Sequence, residues 1–172
     1  EMNKIKGIAA AVMILSLGSL AACSGSGDGS GNGGGSSSEP GFTYTNGSVT
    51  IEMNSDAAAV VEKLGEPLDY FESESCAFEG LDKVYTYPGF KLNTYPEEDK
   101  DYVLSVVFMD DTVETEEGIA IGSTKDQVTE AYGDPAEESD TSLVYEKGDT
   151  EMTIGLDGDS VSSLEISAVT EE

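Results

Sequence analysis

The chain has 172 residues and a formal charge of −27 at pH 7, with 35 acidic residues, eight lysines and no arginine, histidine or tryptophan. This charge excludes nucleic acid and argues against anionic lipid as a binding surface, because no basic patch is present to neutralise phosphates. Catalytic triads, histidine metal sites and arginine clamps are also excluded. We therefore predict a protein that is not an enzyme and that holds no cofactor or metal.

Residues 1–22 have the three parts of an export signal. Lys4 and Lys6 form the charged start, 7–17 is a short apolar run, and Leu-Ala-Ala-Cys ends at Cys23. The last four residues resemble the lipobox of bacterial lipoproteins. This resemblance implies that the Cys23 thiol receives a diacylglyceryl anchor and that the chain is cut just before it. We expect a mature protein anchored in the cell membrane at its extracytoplasmic face.

Residues 23–41 are predicted to be a flexible tether. Of the 18 residues in 24–41, 14 are glycine or serine. Such a segment cannot bury apolar surface, and as a coil it would span roughly 20–25 Å. The folded part is therefore expected to begin near Phe42.

The first folded part, 42–111, begins with a predicted hairpin of strands 42–44 and 48–53. Its turn is assigned to Asn46-Gly47, a dipeptide suited to the positive φ angles of a type I′ turn. A helix follows, with Asn54 or Ser55 as the predicted N-cap and a stop at Gly65 and Pro67. Its apolar residues recur at helical spacing: Ala57, Val60, Val61 and Leu64.

Four strands are predicted after this helix, near 68–73, 83–87, 90–94 and 102–109. The run 103–108 is almost continuously apolar. A strand that is apolar on both faces is typical of the middle of a sheet. We therefore predict that this strand is central.

The second folded part, 112–172, is predicted to repeat this order. A short strand carries Ile119 and Ile121, Ser123 or Thr124 caps a helix, and Gly133-Asp134-Pro135 ends it. Strands follow near 142–146, 151–156 and 160–168. Lys147-Gly148-Asp149 and Asp157-Gly158-Asp159 are the predicted turns between them. The two aspartates of the second turn could also hold a metal, but Asp-Gly is first a hairpin signal.

The two parts contain an internal repeat. Alignment of 55–67 with 123–135 at one constant offset matches five residues of each segment, including the glycine and proline of the helix stop. Each part then reads as a helix followed by a meander of antiparallel strands. The predicted fold is α+β, with two tandem helix-plus-antiparallel-meander modules that share a core or a continuous sheet.

This order, in two copies behind a lipobox, resembles small cell-envelope lipoproteins built from the β-lactamase-inhibitor-protein-like (BLIP-like) module. A related unit occurs in the small lipoprotein of the outer-membrane assembly machine. The resemblance covers about residues 54–169, and its most specific piece is Gly118-Ile119 to Tyr132-Gly133-Asp134-Pro135. It implies a sheet surface that grips a protein partner. That surface would carry some of the aromatic residues Tyr85, Tyr87, Phe90, Tyr95 and Tyr102, and the alternative for each of them is ordinary packing within the sheet.

No inhibitory motif can be matched residue by residue, so inhibition itself is not implied. The first part also lacks the Gly-Ile-x-Ile-Gly sequence that precedes the second helix.

Cys76 lacks an intramolecular partner if Cys23 is acylated. We predict that it is a partly buried small apolar residue, the alternative being a redox or intermolecular role. The neighbouring glutamates Glu72, Glu74 and Glu79 oppose formation of a thiolate.

The sequence thus predicts a lipid-anchored extracytoplasmic protein, non-enzymatic, whose sheet binds a protein partner of unknown identity. The alternative is capture or sensing of a cationic solute or metal by the acidic surface. A purely structural role in the envelope is the third interpretation.

Overall fold

The structure, a computed structural model, describes residues 39–170 of the chain. The predicted signal peptide 1–22, the lipidation site Cys23 and most of the predicted tether 23–41 lie outside the described residues. Among the residues that are described, no helix is long and apolar enough to cross a membrane.

Two helices and ten strands are present in the described part of the chain. The helices are α1 (Ala57–Leu64) and α2 (Lys125–Tyr132). The strands are β1 (Thr43–Asn46), β2 (Val49–Glu52), β3 (Asp69–Glu74), β4 (Leu81–Tyr87), β5 (Phe90–Glu97), β6 (Lys100–Phe108), β7 (Glu137–Glu138), β8 (Ser142–Lys147), β9 (Thr150–Asp157) and β10 (Ser160–Ala168). The predicted combination of helices with antiparallel sheet is confirmed at this level, and the fold is rich in sheet.

Strands β1 and β2 form the predicted hairpin, but its turn lies one residue further along. Asn46 pairs with Val49, so the two-residue loop is Gly47-Ser48. Gly47 has a φ of +62°, whereas Asn46 and Ser48 have no positive φ. Glycine with positive φ at the first loop position is the pattern of a type II′ turn and not of the predicted type I′ turn.

Helix α1 begins at a different cap from the one predicted. Asp56 is the N-cap, and its Oδ1 accepts a hydrogen bond of 3.0 Å from the Ala58 N–H. The predicted caps, Asn54 and Ser55, are unavailable because their backbones pair with Val103 of β6. The Asn54 N–H donates to the Val103 carbonyl, and the Val103 N–H donates to the Ser55 carbonyl. The chain thus stays tied to the sheet until Asp56.

Helix α2 begins at Thr124, one of the two predicted caps. Thr124 Oγ1 accepts from the Gln127 N–H, and Gln127 Oε1 accepts from the Thr124 N–H at 2.8 Å. This reciprocal pair is a capping box, which satisfies two N–H groups of the first turn.

The short strand predicted at Ile119 and Ile121 does not form. The chain turns there, with positive φ angles at Gly118 and Gly122. Ile119 is buried, and its N–H donates to Thr115 Oγ1 at 3.1 Å. The alternation of Ile119 and Ile121 therefore comes from packing in a loop and not from a sheet.

Strands β3–β10 form one antiparallel sheet of eight strands in the order β3-β4-β5-β6-β10-β9-β8-β7. The four strands after α1 make one half and the four strands after α2 the other. They join where β6 pairs with β10, for example at Val106 and Ile166. The prediction that β6 is a central strand is confirmed.

The core lies against one face of this sheet. A row of side chains crosses that face through successive strand pairs; it consists of Tyr85, Leu92, Val106, Ile166, Met152 and Tyr145. Ala57 and Val60 of α1 and Val128 of α2 are buried in the same cluster. The buried residues of both halves therefore form one continuous core.

The β1–β2 hairpin packs against both halves of the sheet. Tyr44 lies with its ring 5.1 Å from those of Phe90 and Phe108 in the first half. Burial raises the pKa of Tyr44 to about 12, so its side chain stays neutral at physiological pH. On the other side, the Phe42 N–H donates to Thr150 Oγ1 at 2.7 Å. The hairpin thus belongs to both halves and not to the first part alone.

Candidate protein-binding surface

The face of the large sheet opposite the core is only partly covered, and we call it the outer face. A row of half-buried residues crosses it, directly beside the core row; it consists of Thr86, Lys91, Val107, Glu165, Thr153 and Val144. Along each strand, the polar residues and valines of the outer face alternate with the buried residues of the core face, as in antiparallel sheets that pack on one side. The outer face is thus mixed in polarity.

Two of the five aromatic residues predicted to contact a partner lie deep in the core. Phe90 is completely buried and Tyr87 is 4% exposed. Their rings stack with centroids 5.3 Å apart, and the Tyr87 hydroxyl donates to the Gly65 carbonyl at the end of α1. The prediction of a partner contact is wrong for both, because neither can be reached without unfolding.

Tyr95 is also buried, so the same prediction is wrong for it. It lies in a second aromatic cluster, with ring centroids 4.9 Å from Phe78 and 5.9 Å from the half-buried Tyr102. Its hydroxyl donates to Asn54 Oδ1 at 3.1 Å, and burial raises its pKa. Tyr95 thus holds the segment before α1 against the sheet.

Of the five predicted aromatic residues, Tyr85 is the one that lies beside the exposed apolar surface. It is half-buried, and its ring lies 5.0 Å from the ring of Tyr70 on the neighbouring strand. Tyr70 was not among the predicted contacts. Its position within the predicted strand 68–73 and next to Phe71 was the only sequence signal for it.

Exposed apolar side chains are concentrated around β3. Six large apolar residues are exposed in the described part of the chain, and four of them lie on or next to this strand and its partner β4; these are Leu68, Tyr70, Phe71 and Leu81. We call these four residues the β3 edge patch. Phe71 is 60% exposed, and all six residues of β3 are exposed. Apolar residues collected in this way mark interaction surfaces more often than scattered ones do.

The β3 edge patch lies in a negatively charged setting. β3 itself carries Asp69, Glu72 and Glu74. The opposite lysine, Lys83 on β4, lies 2.6 Å from Asp101, and this hydrogen bond raises the lysine pKa. The positive charge of Lys83 is thus paired with Asp101 and not with a carboxylate of β3. The Tyr70 hydroxyl donates to Glu72, which raises the pKa of the tyrosine.

The two edges of the sheet differ in length and in character. β3 is six residues long and carries the apolar patch, whereas β7 at the other edge consists of Glu137 and Glu138 alone. Glu138 is moreover 2.6 Å from Lys125 of α2. Short, charged edges resist the addition of another strand, so β3 is the more accessible edge.

Cys76 is exposed, which contradicts the prediction of a partly buried packing residue. It lies in the loop between β3 and β4. In that loop Ser75 Oγ accepts from the Phe78 N–H at 3.1 Å, and Phe78 packs on Tyr95 instead. The apolar contact that the sequence assigned to the cysteine is therefore made by the phenylalanine.

A concave region lies between α2, β8 and the start of β1. It has a volume of about 500 Å³ and is lined by Phe42, Tyr132, Tyr145 and Lys147, among others. The Tyr132 hydroxyl donates to Glu117 Oε2 at 2.6 Å, and burial together with this bond raises its pKa. The Tyr132 hydroxyl is thus already paired with a carboxylate of the same region.

Within residues 39–170, no group of three acidic or cysteine side chains is arranged to hold a metal ion. The loop between β9 and β10 consists of Gly158 and Asp159, with Asp157 paired to Ser160 and a φ of +62° at the glycine. The interpretation of this segment as a hairpin turn is confirmed.

Comparison of the chain with protein-family models, with curated proteins and with solved structures yields no match. The β3 edge patch is therefore the feature from which a function is inferred.

Proposed function

We propose that this chain is a lipid-anchored, extracytoplasmic, non-enzymatic protein that binds a protein partner through its large sheet. The observation that carries the proposal is the β3 edge patch, where Tyr70 and Phe71 are 45% and 60% exposed on a strand at the edge of the sheet. Aromatic residues are enriched in protein interfaces. The absence of histidine and arginine from the sequence supports a binding role over catalysis.

The proposal includes two tandem modules of one type, as in the BLIP-like lipoproteins that the sequence resembles. Three features support it. Each half begins with an eight-residue helix that ends at a glycine with positive φ, Gly65 at +82° and Gly133 at +80°. Both helices are followed by four strands, and the strand order of one half mirrors that of the other. Duplication of one module explains all three features at once.

The lipid anchor leads to a prediction about Cys23. Cys23→Ala should release the protein from the membrane fraction, because the acylated thiol would be its only covalent lipid. The matched control is Cys76→Ala, which removes the chain's other cysteine and should leave the protein in the membrane. The measurement is fractionation of cells followed by detection of the protein. Membrane retention of Cys23→Ala would contradict the lipid anchor.

The proposed partner binding is tested by site-specific photo-crosslinking with the full chain in its own cells. A crosslinking residue at position 71 should join the protein to one partner, whereas the same residue at the exposed position 141, in the loop before β8, should not. An absence of crosslinks at position 71, or the same products at both positions, would contradict the proposal. Crosslinks that form at both positions and disappear at moderate salt would favour capture by general charge.

A further inference from the structure

We infer that the free edge of β3 binds an extended, lysine- or arginine-bearing strand of a partner protein by adding it to the sheet. This inference rests on the proposed protein-binding function and specifies the chemistry of the partner. It follows from the backbone at the edge, the side chains on both sides of it, and the charge around it.

Within residues 39–170, the backbone of β3 is hydrogen-bonded on one side only. Its six residues pair with β4 from Asp69 opposite Thr86 to Glu74 opposite Leu81, and no described strand lies on the other side. In an antiparallel pair, every second residue turns its N–H and C=O away from its partner strand. These groups form a template that a further strand can pair with.

Apolar side chains lie on both faces of this edge. Tyr70 pairs with Tyr85 in the core row, and Phe71 pairs with Val84 on the opposite face. Leu68, which precedes the strand, is 72% exposed. An added strand would therefore meet an aromatic ring above and below its backbone, and burial of those rings would stabilise the pairing.

The charge at the edge selects the partner. Asp69, Glu72 and Glu74 all belong to β3, which carries no lysine. Pairing with a second copy of the chain would bring three carboxylates from each copy into one ladder, and like charges on paired strands are destabilising. A strand with basic side chains removes this repulsion. The occupant is thus a basic extended segment and not a second copy.

The inference can be tested with the full chain and a synthetic peptide of roughly ten residues that alternates lysine and valine. Binding is measured by fluorescence anisotropy, and hydrogen exchange locates it. We expect the amides of Asp69–Glu74 to become protected. Methylation of alternate backbone nitrogens of the peptide keeps its charge but removes its N–H donors. This change should abolish binding, and so should replacement of the peptide lysines by glutamate.

The matched protein variants are Phe71→Lys and Val169→Lys. Both positions are exposed, at 60% and 53%, and both changes add one positive charge, but only the first alters the β3 edge patch. Phe71→Lys should weaken peptide binding at least about tenfold, whereas Val169→Lys should have little effect. Circular dichroism is expected to show that both variants are folded.

Three results would overturn the inference. They are a methylated peptide that binds as well as the original, equal weakening by the two variants, and a dimer in sedimentation that Phe71→Lys abolishes. If position 71 still crosslinks to a partner in these cases, protein binding stands and only strand addition is wrong. If position 71 crosslinks to nothing, the proposed function itself fails.

Discussion

Phe90→Ala is expected to lower the free energy of unfolding by about 3–5 kcal/mol. Phe90 is completely buried, with its ring 5.1 Å from that of Tyr44 and 5.3 Å from that of Tyr87. Removal of the ring leaves a cavity between the hairpin and the sheet, which rigid neighbours fill only in part. Urea-induced unfolding followed by circular dichroism measures the loss.

The control is Phe71→Ala, which removes the same ring from the exposed edge of the sheet. Phe71 is 60% exposed, so its loss should change the free energy of unfolding by less than about 0.5 kcal/mol while weakening partner binding. The two variants separate a core role from a surface role for the same residue type. A stable Phe90→Ala protein that has lost partner binding would restore the original surface interpretation of Phe90.

Gly133→Val is expected to lower the free energy of unfolding by about 3 kcal/mol, the upper end of the cost of a strained backbone conformation. Gly133 ends α2 with φ +80° and ψ −150°. This combination of positive φ and extended ψ is essentially restricted to glycine. A Cβ atom there would meet no other atom within 4 Å, so the whole cost is in the backbone.

Thermal unfolding of Gly133→Val should be compared with that of Ala136→Val, an exposed position three residues later without a positive φ. The control should unfold near the wild-type temperature. Equal stability of Gly133→Val and wild type would mean that α2 does not end in this conformation.

Strands β4 and β5 show why the predicted aromatic surface was wrong at Tyr87, Phe90 and Tyr95. Tyrosine is common both in sheet cores and in interfaces, and no local pattern decides which face of the strands the helices and the β1–β2 hairpin cover. Phe90 packs against Tyr44, which lies far away in the chain, and Tyr87 stacks on Phe90. The contact that buries them is therefore absent from any local pattern.

Two further differences have the same kind of cause. Asp56 replaces Asn54 and Ser55 as the cap of α1 because their backbones are held by Val103 of β6. Cys76 is exposed because Phe78 takes the place against Tyr95. In each case, a residue distant in sequence competes with the local preference.

Short-range signals were sufficient for the helices, the hairpins and the central strand. Thr124 with Gln127 encodes the start of α2, and Gly133 encodes its end. The apolar run of β6 encodes a strand with a neighbouring strand on each side. These features depend on hydrogen bonds and steric limits within a few residues, or on the apolar content of one segment.

Long-range pairing, in contrast, decided which strand lies at the edge. Tyr70 and Phe71 do not by themselves mark β3 as an edge strand, but the order of the sheet leaves its far side without a described neighbour. Strand order depends on which distant segments pair and on how two half-sheets join at β6 and β10, and neither is written in the local pattern of β3. The candidate binding surface thus emerged only from the assembled sheet.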